Sequence, residues 1–181
     1  MAMRLSVPKG KNLLIFDFDG TIASLAVDWG ALKRTMQSHF PSIDFSSLNR
    51  GIGQMCDRCS PSEIACGFNL LHRAEIAKLE QLVTNDPINA FIREHKDSYT
   101  FAICSSNTHA TIIAVLRHLH LEDVFSIVVG SDDCPILKPH PDALLLILKM
   151  IGIPASQAYF FGNASEDLQA GTQAGVETQL I

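Results

Sequence analysis

Four apolar residues, Leu13, Leu14, Ile15 and Phe16, lead without a break into Asp17-Phe18-Asp19-Gly20-Thr21. A short, wholly apolar run bounded by Lys and Gly reads as a strand buried on both faces, the habit of a parallel sheet. In extended backbone, residues two apart point the same way, so Asp17 and Asp19 share one side and Phe18 takes the other. Two carboxylates on one side are costly unless a cation or a proton lies between them. Mg2+, which seeks oxygen ligands and keeps several waters, suits such a pair. Gly20 gives the following turn its backbone freedom, and Thr21 offers a hydroxyl and an N–H.

The rest of the chain repeats this grammar. Phe101–Cys104 is a second apolar run and ends at Ser105-Ser106-Asn107, after which Ile112, Leu116 and Leu119 recur at helical spacing. Phe125–Val129 predicts a third strand, ending at Gly130. Pro141 opens a helix and Gly152 follows its end. Tyr159–Phe161 predicts a fourth strand, followed by Gly162-Asn163 and a helix from about Ser165 to Ala174. Gly175 closes that helix, and Val176–Leu180 predicts a fifth strand. Strands alternating with helices are the signature of an α/β doubly wound sheet.

One connection breaks the rhythm. Between Thr21 and Thr100 lie 78 residues, far more than a crossover needs. Ile64 to Val83 shows helical spacing at Ile76, Leu79 and Leu82, and Pro41, Pro61 and Pro87 act as breakers. The expected organisation is a core built from residues 1–22 and 96–181, with residues 23–95 inserted as a small helical cap.

In open parallel sheets, ligands bind beyond the carboxyl ends of the strands. Asp17 and Asp19, Ser105, Lys138, Asn163 and Asp167 all follow strands. Ser105, with the N–H groups of Ser106 and Asn107, can hold a phosphate oxygen at a helix start or serve as an ordinary N-cap. Lys138, in the rigid stretch Lys138-Pro139-His140-Pro141, can neutralise a carboxylate and a bound phosphate, or remain a surface lysine.

The chain carries 14 Lys and Arg against 19 Asp and Glu, a net charge of −5, which is not the footprint of a duplex-binding protein. Hydrophobic residues make up 47%, which excludes disorder. The longest apolar run, Ala143–Leu148, is far short of the ~20 residues of a membrane helix. Leu13–Phe16 is too short for the apolar part of a signal peptide. Five cysteines, an odd number, are expected as reduced thiols, and the spacings of Cys56, Cys59, Cys66 and His72 fit no common zinc pattern. The expected location is the cytoplasm, with no nucleic-acid or membrane partner.

Taken together these residues resemble the haloacid dehalogenase superfamily, in particular its phosphatases with a helical cap after the first strand. Asp17-Phe18-Asp19-Gly20-Thr21 is similar to the family's first motif, Ser105 to its second, Lys138 with Pro139 and Pro141 to its third, and Phe161-Gly162-Asn163 through Asp167 to its fourth. The resemblance implies a Rossmann-like α/β core with a small helical cap and a Mg2+-dependent phosphatase of a small phosphorylated metabolite. Asp17 would be the nucleophile that forms an aspartyl-phosphate, and Asp19 the acid and base. Thr21, Ser105, Ser106 and Lys138 would hold the phosphoryl group, and Asp17, Asp19, Asn163 and Asp167 would surround the metal. Asn163 departs from the family, which usually has Asp there, so the metal loses a charged ligand. That departure motivates the alternative, a scaffold that binds a phosphorylated ligand or a protein partner without turnover. Asn49-Arg50-Gly51-Ile52-Gly53 resembles the glycine-containing substrate loop of such caps. Arg50 there either contacts a second anionic group of the substrate or, as is usual for Arg, stays in solvent. Val27, Asp28 and Trp29 are expected to pack the cap's first helix, and His140 to be a solvated loop residue or to approach the site.

Overall fold

The computed structural model describes residues 5–181; residues 1–4, which the sequence assigns to the core, lie outside them. Strands β1 (Leu13–Phe16), β4 (Thr100–Cys104), β5 (Phe125–Val129), β6 (Ala158–Gly162) and β7 (Glu177–Leu180) form one parallel sheet. Their order is β5-β4-β1-β6-β7. The chain leaves β1 towards β4 and β5 on one side, then crosses back to β6 and β7 on the other. β1 is therefore the switch point, where open α/β sheets bind ligands.

Alternation along the strands splits the core in two. Leu14 and Phe16 face a cluster with Phe101, Ile103 and Phe161, covered by Ile88 and Ile92 of α4 (Asp86–His95) and by Ile112, Val115 and Leu116 of α5 (His109–His118). Leu13 and Ile15 face the other side with Ala102 and Phe160. There they are covered by Leu144 and Ile147 of α6 (Asp142–Ile151) and Ala170 of α7 (Ser165–Ala174). Helices on both faces explain why β1 is apolar at every position. Phe16 lies between Phe161 at 4.8 Å and Phe101 at 6.0 Å between ring centres, and truncating such a ring costs about 3–5 kcal/mol.

The long connection holds α1 (Trp29–His39), α2 (Leu48–Arg58) and α3 (Pro61–Ile76). They bury their own cluster, with Leu32, Met36, Phe45, Ile52, Met55 and Leu71, and Leu137 of the core joins it. Ser60 caps α3 in a reciprocal pair with Glu63, and Pro61 begins the helix.

Three details differ from the sequence reading. The helical spacing from Ile64 to Val83 does not end in helix: α3 stops at Ile76, and β3 (Val83–Thr84) pairs antiparallel with β2 (Ala23–Ser24). Residues 86–95, within the span expected for the cap, form α4, which packs against the sheet through Ile88 and Ile92. Arg50 to Gly53 is not a loop but the body of α2, where a Cβ on Gly51 would meet the Phe45 ring at 2.2 Å. That glycine serves close packing. Among the described residues, no helix is long and apolar enough to cross a membrane.

Candidate active site

The sheet register brings the motifs to one edge. Phe16 pairs with Ile103 on one side and Phe161 on the other. Asp17, Ser105 and Asn163, each just past a strand end, therefore come out on the same side of the sheet. Gly20 closes the first loop at φ +83°, a conformation open chiefly to glycine. A Cβ there would also lie 2.0 Å from Asn163 Nδ2.

Lys138 is 6% exposed, and its ammonium binds three oxygens. Nζ donates to Asp17 Oδ1 at 2.6 Å, to Asp167 Oδ1 at 2.5 Å and to the Cys104 carbonyl at 3.2 Å. Burial opposes its charge, but Asp17, Cys104 and Asp167 outweigh that and raise it above the usual lysine value. Burial likewise raises the Asp17 carboxyl above its usual range, with Lys138 opposing. Burial pushes the neighbouring Cys104 thiol up to about 12, which makes it a poor nucleophile.

The other Asp17 oxygen accepts from the Thr21 hydroxyl at 3.0 Å. Thr21, assigned from sequence to the phosphate, is fully buried and spends that hydroxyl on Asp17. Asp19 Oδ1 accepts from the Leu25 N–H at 2.8 Å. Its carboxyl is raised by burial first, with the charges of Asp17 and Glu75 adding and the Leu25 bond opposing. Ser105 Oγ accepts from the Asn107 N–H at 3.1 Å and donates to Asn107 Oδ1 at 3.0 Å. Ser106 lies beside it on the cavity wall.

Asp167 uses both oxygens: Oδ1 on Lys138, and Oδ2 on the N–H groups of Asn163 and Ala164, each at 3.0 Å. It caps the start of α7 and holds Lys138, which is not the metal-side place expected of it. Asn163 Nδ2 donates to the Asp19 carbonyl at 3.1 Å. Among the described residues, no group of three or more His, Cys, Asp and Glu side chains is placed to hold a metal by itself. Oxygen donors are present nonetheless: the Asp17 carboxylate, the Asp19 carbonyl and, with the amide turned over, Asn163 Oδ1. Turning the amide needs no extra room, because its oxygen and nitrogen are alike in size. A hard-oxygen set with one carboxylate fits Mg2+, which completes its shell with water.

These groups open on a cavity of about 530 Å³ that also reaches Trp29, Leu48, Asn49, Ile52 and Leu71. Trp29, expected to pack inside the cap, is 36% exposed at this wall. Arg50 turns away: its guanidinium is 3.2 Å from Asp44, and it lines a neighbouring cavity together with His140.

One contact and one residue escaped the sequence reading. Asn49 Nδ2 donates to the Lys138 carbonyl at 3.0 Å, joining α2 to the lysine loop. Glu75 of α3 is buried against the start of α5, where it accepts from Asn107 Nδ2, from the N–H and hydroxyl of Thr108 and from the Thr111 hydroxyl. The signal for Glu75 was its place on a buried stripe at four-residue spacing, Gly67, Leu71, Glu75.

A family model described as haloacid dehalogenase-like hydrolase matches residues 14–181. The chain belongs to this family. It is phosphoglycolate phosphatase-like within the family, and a hydrolase. The phosphoglycolate phosphatase of Pseudomonas syringae pv. tomato is 26% identical over 190 residues, which cover 96% of this chain and 70% of that one. The phosphoglycolate phosphatase of Escherichia coli K12 is 41% identical over 64 residues, 35% of this chain and 25% of that one. In fold the chain resembles CbbY from Rhodobacter sphaeroides in complex with phosphate. That match has a TM-score of 0.67 and 19% identity, and covers 93% of this chain and 84% of that chain.

Proposed function

We propose that this protein is a cytoplasmic, Mg2+-dependent phosphatase of a small phosphomonoester, working through an aspartyl-phosphate. The observation that carries the reading is the Asp17–Lys138 pair at 2.6 Å, at the switch point of the sheet and in the same cavity as Asp19 and Ser105. Asp17 attacks phosphorus, a P–O bond forms to its carboxylate, and the bond to the leaving oxygen breaks. Asp19 gives that oxygen its proton; the raised carboxyl suits a group that must carry a proton. Asp19 then takes a proton from the water that hydrolyses the aspartyl-phosphate, which restores both residues. Lys138 and the Ser105–Ser106 turn hold the phosphoryl oxygens, so most of the catalysis is positioning and charge neutralisation. The Asp17 carboxylate, the Asp19 carbonyl and Asn163 would hold Mg2+, which supplies charge neutralisation between nucleophile and phosphate. The helices α1–α3 act as the cap over this site.

The hydrogen bond from Asn163 to Asp19 supports a second reading, a scaffold that binds a phosphorylated ligand without turnover. One experiment separates the two. The native protein is assayed with Mg2+ against a panel of phosphorylated metabolites, beside Asp17→Asn. Turnover by the native protein that disappears in Asp17→Asn supports the phosphatase. Equal turnover by both removes Asp17 as the nucleophile, and none by either favours the scaffold.

A further inference from the structure

The charge around this cavity carries more information than phosphate cleavage requires. Asp17, Asp19, Glu75, Glu166 and Asp167 all reach its wall, while Lys138 is its one cation among the described residues. Lys138 is already bonded to Asp17 and Asp167, and a bound phosphoryl group makes a further claim on it. Arg50, the cation best placed by sequence to meet a second anion on the substrate, is paired with Asp44 and lines the neighbouring cavity.

Glu75 is the unusual member of the set. It is 4% exposed, and every partner it has is a neutral donor: the Asn107 amide, the Thr108 N–H and hydroxyl, and the Thr111 hydroxyl. The Asn107 amide and the Thr108 N–H can only donate, so each Glu75 oxygen accepts at least one bond. No lysine, arginine or histidine among the described residues forms an ion pair with it. Glu75 thus reaches the cavity wall with no direct cationic partner, the basic group in its hydrogen-bond network being His72, which meets it only through the Thr111 hydroxyl, and so buried an acid is poorly screened by water. The remaining wall is apolar, made of Trp29, Leu48, Ile52 and Leu71.

We propose that the substrate is a phosphomonoester whose leaving alcohol is uncharged or cationic, and that Glu75 selects against an alcohol carrying a second anion, phosphoglycolate included. This inference rests on the phosphatase reading above. A carboxylate on the alcohol shares the cavity with Glu75 and finds no unpaired side-chain cation on its wall, and such like-charge placement is how sites reject a competitor. A neutral or aminated alcohol meets no such repulsion and still gains from the apolar wall.

The test uses three esters of similar size: ethyl phosphate, 2-aminoethyl phosphate and phosphoglycolate. With native protein and Mg2+, kcat/KM for phosphoglycolate is expected to be at least about tenfold below the other two, roughly 1.4 kcal/mol of transition-state binding. Equal or faster turnover of phosphoglycolate overturns the inference and leaves the phosphatase reading standing. Hydrolysis of none of the three, or of any wider panel, overturns the phosphatase reading instead. The charge preference is then read by calorimetric binding of the same esters, where equal or tighter binding of phosphoglycolate overturns it. Glu75→Gln keeps the shape and removes the charge. It is expected to narrow the discrimination against phosphoglycolate at least threefold, and an unchanged ratio in folded protein overturns Glu75 as its source.

Discussion

Asn163 and Asp19 are joined by a hydrogen bond of 3.1 Å from the amide Nδ2 to the backbone carbonyl, tying the loop after β6 to the loop after β1. That carbonyl is one of the oxygens proposed for Mg2+, so the amide competes for its lone pairs and adds no negative charge. Asn163→Asp is expected to lower the half-saturating Mg2+ concentration about 10–100-fold, the size of effect commonly seen when the groups around a metal change. Calorimetric titration without substrate, beside half-maximal activation, reads it. Identical half-saturation in both proteins means that Asn163 is not a ligand, and activity in the Asp variant alone favours the scaffold reading.

Lys138 holds two buried carboxylates apart. Lys138→Met leaves Asp17 and Asp167 facing each other with no cation between them, and breaking a buried pair in this way costs about 3–5 kcal/mol. A lowered urea midpoint with an unchanged slope is the expected result. Adding Asp167→Asn should recover part of the stability and none of the activity.

The pH dependence of stability follows from Asp19. Burial, then the charges of Asp17 and Glu75, hold its carboxyl above the ordinary 3.8, so the folded protein binds that proton more tightly than the unfolded chain does. The stability this contributes is fully present below pH 3.8 and is lost as the pH rises through the folded value. Asp19→Asn should therefore melt higher than the parent at neutral pH and lose that advantage in acid. A parent that melts higher at neutral pH would contradict it. Calorimetric melting of both proteins across the pH range is the measurement.

Glu75→Ala removes the acceptor of four hydrogen bonds at the start of α5. Buried donors left unpaired cost about 1–3 kcal/mol, so a loss of that order is expected in urea unfolding, with faster amide exchange at Thr108. Glu75→Gln, which keeps one acceptor oxygen, should lose less.

Much of this protein was legible in its sequence because the signals are local. An apolar run broken by Asp17 and Asp19 dictates a buried strand with its polar end at the ligand edge, and the same grammar recurs before Ser105 and Asn163. Period and punctuation need only neighbouring residues, so the five strands of the main sheet, the doubly wound class and the long connection could all be read before any contact was known. Other features depend on packing between distant segments. The sequence shows Arg50 beside two glycines, but only the fold turns it to Asp44, because α2 is helical and Gly51 lies against Phe45. Thr21 looked free for phosphate until its hydroxyl was found on Asp17 Oδ2. Asp167 looked like a metal neighbour until both its oxygens were found on Lys138 and the start of α7. Glu75 is 32 residues from Asn107, so four-residue spacing can place it on the stripe of α3 with Gly67 and Leu71, but only the fold brings that stripe to the cavity. Local chemistry determined what each strand end offers, and the tertiary structure alone decided which offers were already taken, since a buried polar atom must find a partner wherever in the chain that partner lies.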